Sequence, residues 1–276
     1  MRPESEAESA AVSAATRVTE LVRFPAGLVL RDHLAVEEPL EVRIEGAPYA
    51  VLMRTPGHDR ALVAGFLRSE GVIEGADDLA ALEPCADPHR PHGENVMLVR
   101  LASGVRRPAR PRALVSSTSC GVCGKDRIEA VLRHVPPRPS FAPVPTALLG
   151  QLSERLAGLQ PLFAVTGGTH AAVLFGPGPD HRVLAVAEDV GRHNATDKVI
   201  GALLLAGALP RTESILWLSG RAGFEIVEKA LRAGLSTVVA VGAPTSLAVE
   251  LAHEGRLTLI AFARGRDAYN VMRPTR

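Results

Sequence analysis

Apolar and polar side chains alternate in short runs over residues 19–54. Two of the runs, Val36 to Ile44 (VEEPLEVRI) and Tyr49 to Arg54 (YAVLMR), are separated by Gly46 and Pro48. A period of two bounded by turn formers predicts antiparallel strands. The period lengthens at Gly57 to Arg68 (GHDRALVAGFLR), where Leu62, Val63, Phe66 and Leu67 share one face of a helix. Residues 84–94, rich in Pro, His and Asp, predict a loop, and Asn95 to Leu101 (NVMLVRL) a further strand. The first half reads as a small α+β unit.

Pro136, Pro137, Pro139, Pro143 and Pro145 then interrupt any regular element and mark a linker over 136–145. From residue 146 onward the pattern alternates between apolar strands and helices. Strands are predicted at Leu162–Val165, Ala171–Phe175, Val183–Val186, Ile215–Leu218, Thr237–Val241 and Leu257–Phe262, with helices at 147–158, 194–208, 223–233 and 246–254. Short β-branched runs joined by helices favour a mixed or parallel sheet covered on both faces. The fold class is thus α/β with an N-terminal α+β part. The expected division is a disordered leader at 1–18, an α+β domain at 19–135, the linker, and an α/β domain at 146–276.

Three connections in the second half are rich in Gly, Ser or Thr: Thr166-Gly167-Gly168-Thr169 ahead of His170, Ser219-Gly220-Arg221-Ala222-Gly223, and Gly242-Ala243-Pro244-Thr245-Ser246. Ligands of open α/β sheets gather outside the carboxyl ends of the strands, where helix N-termini favour anions. An anion-binding cleft is expected there, although such glycines also simply close turns.

The 31 Lys plus Arg against 30 Asp plus Glu leave no basic excess to suggest a nucleic-acid partner. Arg106, Arg107, Arg110 and Arg112 read as a solvated loop, with a docking patch for an acidic protein as the other reading. The longest apolar run, Val199 to Leu209, is shorter than a membrane span and contains Gly201 and Gly207. The acidic N-terminus has no apolar segment of signal-peptide type. Three cysteines argue against a disulfide framework and for a reducing, cytoplasmic location.

The sharpest chemical feature is Ser119-Cys120-Gly121-Val122-Cys123-Gly124-Lys125-Asp126, which runs into a predicted helix. A polar, Gly-containing setting predicts exposure and mobility. Lys125, Arg127 and the helix start favour the nucleophilic thiolate. The pair alone admits metal, redox and sulfur chemistry. A structural zinc site would need two more ligands, and Cys85 reads as an ordinary loop thiol. His92-Gly93-Glu94 upstream imitates the zinc-deaminase pattern, with His92, Cys120 and Cys123 as ligands and Glu94 as proton shuttle. Ser119 stands where that pattern has proline, and His92 and Glu94 sit in a Pro-rich loop.

Taken with Thr166 to His170, Glu188-Asp-Val-Gly-Arg-His-Asn194, Asp197-Lys198, Ser219-Gly-Arg221 and Ala243-Pro-Thr-Ser246, the cysteine segment resembles the FdhD family of formate dehydrogenase accessory sulfurtransferases. The resemblance runs from about residue 20 to the C-terminus. It implies a C-terminal three-layer domain like the cytidine deaminase fold. It also implies a sulfur carrier that accepts sulfur from a cysteine desulfurase as a persulfide on Cys120, with Cys123 as partner. The sulfur would pass to the molybdenum of a bis(molybdopterin guanine dinucleotide) cofactor, bound as substrate, before formate dehydrogenase receives it. Cofactor contacts are implied at Phe262, Ala263, Arg264, Gly265, Arg266 and Asp267, beside Arg221 and His193, with Arg192 a further candidate for the phosphates. No resident metal, nucleic acid or membrane partner is expected, and the expected assembly is a homodimer.

Overall fold

The computed structural model describes residues 11–86, 93–105, 129, 144–209 and 213–264, and the backbone of 268–272. A four-stranded sheet in the order β4-β3-β6-β5 comes first in the chain. Strands β3 (Glu38–Ile44) and β4 (Ala47–Arg54) form the expected antiparallel pair. They are joined at Glu45 and Gly46, both at positive φ, as a two-residue hairpin of matching twist requires. Pro48 lies inside β4, at a register shift opposite Arg43, so it does not belong to the turn. Strand β5 (Leu79–Pro84), not foreseen from the sequence, pairs antiparallel with β6 (Val96–Leu101), and β6 lies parallel to β3. Cys85 continues the β5 pairing, its N–H donating to Val96 O at 2.8 Å, so its backbone is held to the sheet.

Helix α1 (Asp59–Ser69) follows β4 as the 3.6-residue period predicts, but it is buried far more completely than one apolar face requires. Ala61 to Leu67 are all buried. A helix apolar on all sides belongs between two layers. One side packs on Leu40, Val42, Leu52, Leu82 and Val99 of the first sheet, and the other crosses helix α4 (Arg192–Leu205).

The second sheet has six strands in the order β12-β11-β10-β9-β7-β8. Its centre, β9 (Ile215–Leu218), β10 (Thr237–Ala240) and β11 (Thr258–Arg264), is parallel. Strand β7 (His170–Phe175) runs antiparallel to both β9 and β8 (Val183–Asp189), and β12 (Ala268–Met272) runs antiparallel to β11. Side chains alternate between the two faces. Ala172, Leu174, Leu216, Leu218, Val238 and Leu259 meet α4, α5 (Phe224–Arg232) and α6 (Ser246–Glu254). Val173, Phe175, Ile215, Trp217, Val239 and Ile260 meet Leu149, Leu152 and Leu156 of helix α2 (Thr146–Ala157). The expected mixed sheet covered on both faces is present.

Several sequence expectations are corrected. Leu162–Val165 is not a strand but part of helix α3 (Pro161–Thr166). Pro161 stands at its first turn and Gly167 closes it at φ 62. The Glu188 carboxylate accepts the Leu162 and Phe163 N–H groups at 2.8 and 2.7 Å, a cap supplied from across the fold. Strand β11 extends to Arg264 and is followed by β12, so Arg264 precedes the final strand. Strand β1 (Thr16–Arg23) begins within the stretch expected as a leader and forms a separate two-stranded ribbon with β2 (Leu28–Ala35). Among the described residues no helix is long and apolar enough to cross a membrane.

Helices α1 and α4 cross at backbone distance. A Cβ built on Gly65 would lie 2.0 Å from Asp197 O, and one built on Gly201 would lie 1.8 Å from Ala61 O. Only glycine permits that approach. Gly201→Ala is expected to destabilise the protein by about 3 kcal/mol or more through overpacking. Gly75→Ala, whose Cβ would meet nothing within 4 Å, should be close to neutral. Paired thermal denaturation curves of the two variants check the contrast.

Candidate functional site

Because β9, β10 and β11 are parallel and β8 runs in the same sense, their carboxyl ends share one edge of the second sheet. The antiparallel β7 begins at that edge, with His170 opposite Asp189. All three Gly-rich connections therefore come together there: one leads into β7, and the other two open α5 and α6.

Much of the polar segment Glu188 to Lys198 faces inward and fastens this edge to the first sheet. Asp189 is fully buried. Its carboxylate pairs with Lys198 Nζ at 2.8 Å and accepts the N–H groups of Thr55 (3.1 Å) and Gly191 (2.8 Å) and the Asn194 amide (3.0 Å). Lys198 also donates to Thr55 O at 2.9 Å, and Asn194 to Met53 O at 2.6 Å. One turn further along α4, buried Asp197 accepts from Lys229 at 2.7 and 2.9 Å and from Ser69 Oγ at 2.8 Å. Burial pushes the Asp197 carboxyl up, while Lys229 and Ser69 act against that shift. Arg54, also buried, binds both Asp59 oxygens at 3.1 Å and Asn95 Oδ1 at 2.7 Å. Breaking one partner of such buried pairs strands a charge, so these residues are structural fastenings.

The basic side chains left at the edge are different. His170, Arg192 and Arg221 lie close enough for the two guanidiniums to depress the basicity of the imidazole. Burial is the larger cause, and Asp189 acts in the opposite sense. Arg192 is itself pushed down, first by burial and then by Arg221, with Glu225 opposing. Its buried Nε has no hydrogen-bond partner among the described residues. A cleft of about 440 Å³ opens beside His170, lined by Leu156, Phe163, Gly167, Thr169, His170 and Ser219 among others.

At the end of β11, Phe262 adopts φ 57, a left-handed conformation that costs a bulky residue roughly 1–3 kcal/mol. The pairing with β12 shifts register between Ala261 and Arg264. Ala263 is buried, and Arg264 projects from the strand end with Nε on Val241 O at 3.2 Å. Phe262, Ala263 and Arg264 thus belong to a distorted strand end and not to a loop. Gly265, Arg266 and Asp267 lie outside the described residues, as do Cys120, Cys123 and His92. Glu94 lies in a short 3-10 turn (Gly93–Asn95) ahead of β6. Among the described residues no group of His, Cys, Asp and Glu is arranged to hold a metal ion.

The structure brings Arg221, His193 and Arg264 to this edge, together with Arg192 and His170. Sequence reasoning placed His170 only at the end of a Gly-rich turn. The signal that could have singled it out was its position where an antiparallel strand begins beside parallel strand ends.

His193 sits at the start of α4 with Nε2 3.2 Å from Glu225 Oε2. Burial, then Lys229, Arg192 and His170, push its pKa down to about 3, so the contact is a hydrogen bond from a neutral ring. The unfolded chain takes up a proton near pH 6.5 that the folded chain refuses. Stability attributable to this neutral ring is therefore present above about pH 6.5 and lost as pH falls toward 3. His193→Gln should flatten the pH dependence of stability over that window, as followed by urea denaturation at several pH values.

Comparison with known proteins agrees with this architecture. Residues 35–276 match the FdhD/NarQ family. The chain is 47% identical over 266 residues to the sulfur carrier protein FdhD of Anaeromyxobacter dehalogenans (strain 2CP-C), covering 92% of each. It is 46% identical over 251 residues to the protein of that name from Mycobacterium tuberculosis, covering 87% of this chain and 89% of the relative. A crystal structure described as a formate dehydrogenase accessory protein from Desulfotalea psychrophila superposes with a TM-score of 0.73 at 24% identity. That superposition covers 94% of this chain and 96% of the other, and it bears on the fold alone. With one family spanning both sheets and the edge where their polar connections meet, this chain belongs to the FdhD/NarQ family, the family of sulfur carrier proteins.

Proposed function

We propose that this protein carries sulfur from a cysteine desulfurase to the molybdenum of a bis(molybdopterin guanine dinucleotide) cofactor, before formate dehydrogenase receives the cofactor. The observation that carries the reading is the gathering of His170, Arg192, Arg221 and Arg264 at one sheet edge, in a member of a family whose relatives are named sulfur carriers. Arg guanidiniums match phosphate oxygens, and the cofactor brings several phosphates. The proposed contacts are Phe262, Ala263, Arg264, Gly265, Arg266, Asp267 and Arg221, with His193 at the margin. On this reading the helix–sheet–helix unit is a cytidine-deaminase-like scaffold used to hold the cofactor. The zinc-deaminase alternative gains no support from the placement of Glu94.

The sulfur steps fall to Cys120 and Cys123. Cys120 thiolate attacks the outer sulfur of the donor persulfide, a new S–S bond forms, and the donor cysteine leaves as thiolate. Cys123 thiolate then attacks Cys120 Sγ, and the outer sulfur leaves as hydrosulfide toward molybdenum. The resulting Cys120–Cys123 disulfide is reset by a cellular dithiol, as the reducing cytoplasm permits. Cys120→Ser should eliminate a desulfurase-dependent mass increase of one sulfur atom and abolish formate dehydrogenase maturation. Full maturation by that variant would sink the assignment.

The proposed homodimer has a surface through which to form. The β1–β2 ribbon exposes Val18, Leu21, Val22, Phe24, Leu28, Val29, Leu30 and Leu34, with Phe24 84% and Val29 60% exposed. An isolated two-stranded hairpin is marginal in water and needs a constant cover. By the pairing register Val18, Val22 and Val29 share one face of the ribbon, an exposed apolar stripe that suits a second copy of this chain. Val22 and Val29 face each other across the ribbon. The double variant Val22→Glu, Val29→Glu should be monomeric by light scattering where the parent is a dimer. A parent that is monomeric, or a variant that stays dimeric, overturns this surface.

A further inference from the structure

We propose that Glu188 is a positioning residue for the cleft beside His170. Its carboxylate latches both ends of the segment 161–169 and so sets the wall that a bound ligand meets. What the ligand is rests on the cofactor reading, whereas the latch rests on hydrogen bonds within this chain.

Helix α3 has little of its own to hold it. It is six residues long, well below the roughly 12 that a helix needs to stand alone in water. Leu162 is its buried side chain, whereas Phe163 and Val165 are 45% and 42% exposed. Gln160 at the N-cap gives the first turn no side-chain acceptor, since its amide donates backward to Leu156 O at 3.1 Å. The free N–H groups at the helix start must then be met from elsewhere. Glu188 meets them: Oε2 accepts the Leu162 N–H at 2.8 Å and Oε1 the Phe163 N–H at 2.7 Å. Oε1 also accepts from Thr169 Oγ1 at 2.9 Å, at the far end of the same segment.

The latch stands on a rigid base. Glu188 lies opposite Ala171 in the β7–β8 pairing, on the sheet face that Val173 and Phe175 turn toward α2. Its own carbonyl accepts from Lys198 Nζ at 3.3 Å, and the next residue is Asp189, fully buried and paired with that lysine. The segment it grips supplies Phe163, Gly167, Gly168 and Thr169 to the cleft wall and leads directly into His170. Within the segment, Gly167 N–H donates to Phe163 O at 2.7 Å and Thr166 Oγ1 to Leu162 O at 2.8 Å. Gly168 N–H donates in turn to Thr166 Oγ1 at 3.1 Å. These bonds join the segment into one unit, so releasing its two ends from Glu188 loosens the whole wall.

Charge and position make opposite demands on this residue. A carboxylate near the arginines of the sheet edge opposes an anionic ligand on Coulomb grounds. If charge were its contribution, removing it would tighten the binding of an anion. As a latch its removal has the reverse effect, because the ligand must then order the wall as it binds.

The test is isothermal titration calorimetry of GDP on the full chain, with Glu188→Ala, Glu188→Asp and Glu188→Gln beside the parent, well below the melting temperature of each. Glu188→Ala should bind GDP about tenfold or more weakly. Glu188→Asp keeps the charge but stops about 1.5 Å, one C–C bond, short of its donors, and should lose as much. Glu188→Gln keeps the reach and one acceptor oxygen, and should fall between the parent and Glu188→Ala. Amide hydrogen exchange at Leu162 and Phe163 should quicken in the same order. Circular dichroism establishes that each variant is folded, and the nearly isosteric Glu188→Gln carries the test if Glu188→Ala does not fold. Parental affinity in Glu188→Asp, or tighter binding by Glu188→Gln, makes charge the operative property and overturns the latch. Unchanged affinity in folded variants with lowered melting temperatures leaves Glu188 a structural residue alone and overturns the positioning role. Weaker binding with unaltered exchange at Leu162 and Phe163 overturns it too. A parent that does not bind GDP overturns the guanine-nucleotide reading, and the positioning role with it.

Discussion

The backbone contact between α1 and α4 is the constraint on which the rest of this structure depends. Gly65 and Gly201 let the two helices approach until each lacks room for the other's Cβ. The helix that covers the four-stranded sheet thereby packs directly on the helices that cover the six-stranded one. Side chains on α1 are consequently buried all round, and Leu204 of α4 joins the core of the first sheet. A wider separation would leave two small cores, each with an exposed apolar helix face.

Close approach also brings backbone polar groups of β4 and its following turn against the start of α4, and these need partners once water is excluded. The Glu188–Lys198 segment supplies them. Asp189 and Lys198 neutralise each other while binding the N–H and C=O of Thr55, and Asn194 takes Met53 O. Asp197 and Lys229 tie α4 to α5 with Ser69 of α1 as third partner. A dense run of acids, amide and lysine thus serves as a joint between layers.

The same joint shapes the chemistry of the sheet edge. Asp189 and Asp197 turn inward to satisfy the joint, whereas His170, Arg192 and Arg221 stand at the opening, where Glu225 is the acid that acts on Arg192. Helix α3 depends on the same economy, since Glu188 closes its N-terminus and so positions Phe163 beside the cleft.

Periodicity alone determined the β3–β4 pair, helices α1, α2, α4, α5 and α6, and the strands of the second sheet's centre, because each buries a face at its own regular spacing. Motifs determined the family resemblance and the Gly-rich connections at the strand ends, and chemistry singled out Cys120 and Cys123. Local pattern could not determine α3, whose six residues look like a strand until Glu188, 26 residues away, accepts the Leu162 N–H. Nor could it separate joint from site within Glu188 to Lys198, because a buried ion pair and a ligand-binding acid use the same residues. The edge strands β5 and β12 were likewise invisible, since their pairing depends on partners brought near by the fold, and the alternation over 19–54 did not show that β1 and β2 form a ribbon apart from the first sheet. Sequence determined which elements exist where burial is periodic. Only tertiary structure decided which polar groups face one another, because desolvation and pairing act through space between residues far apart in the chain.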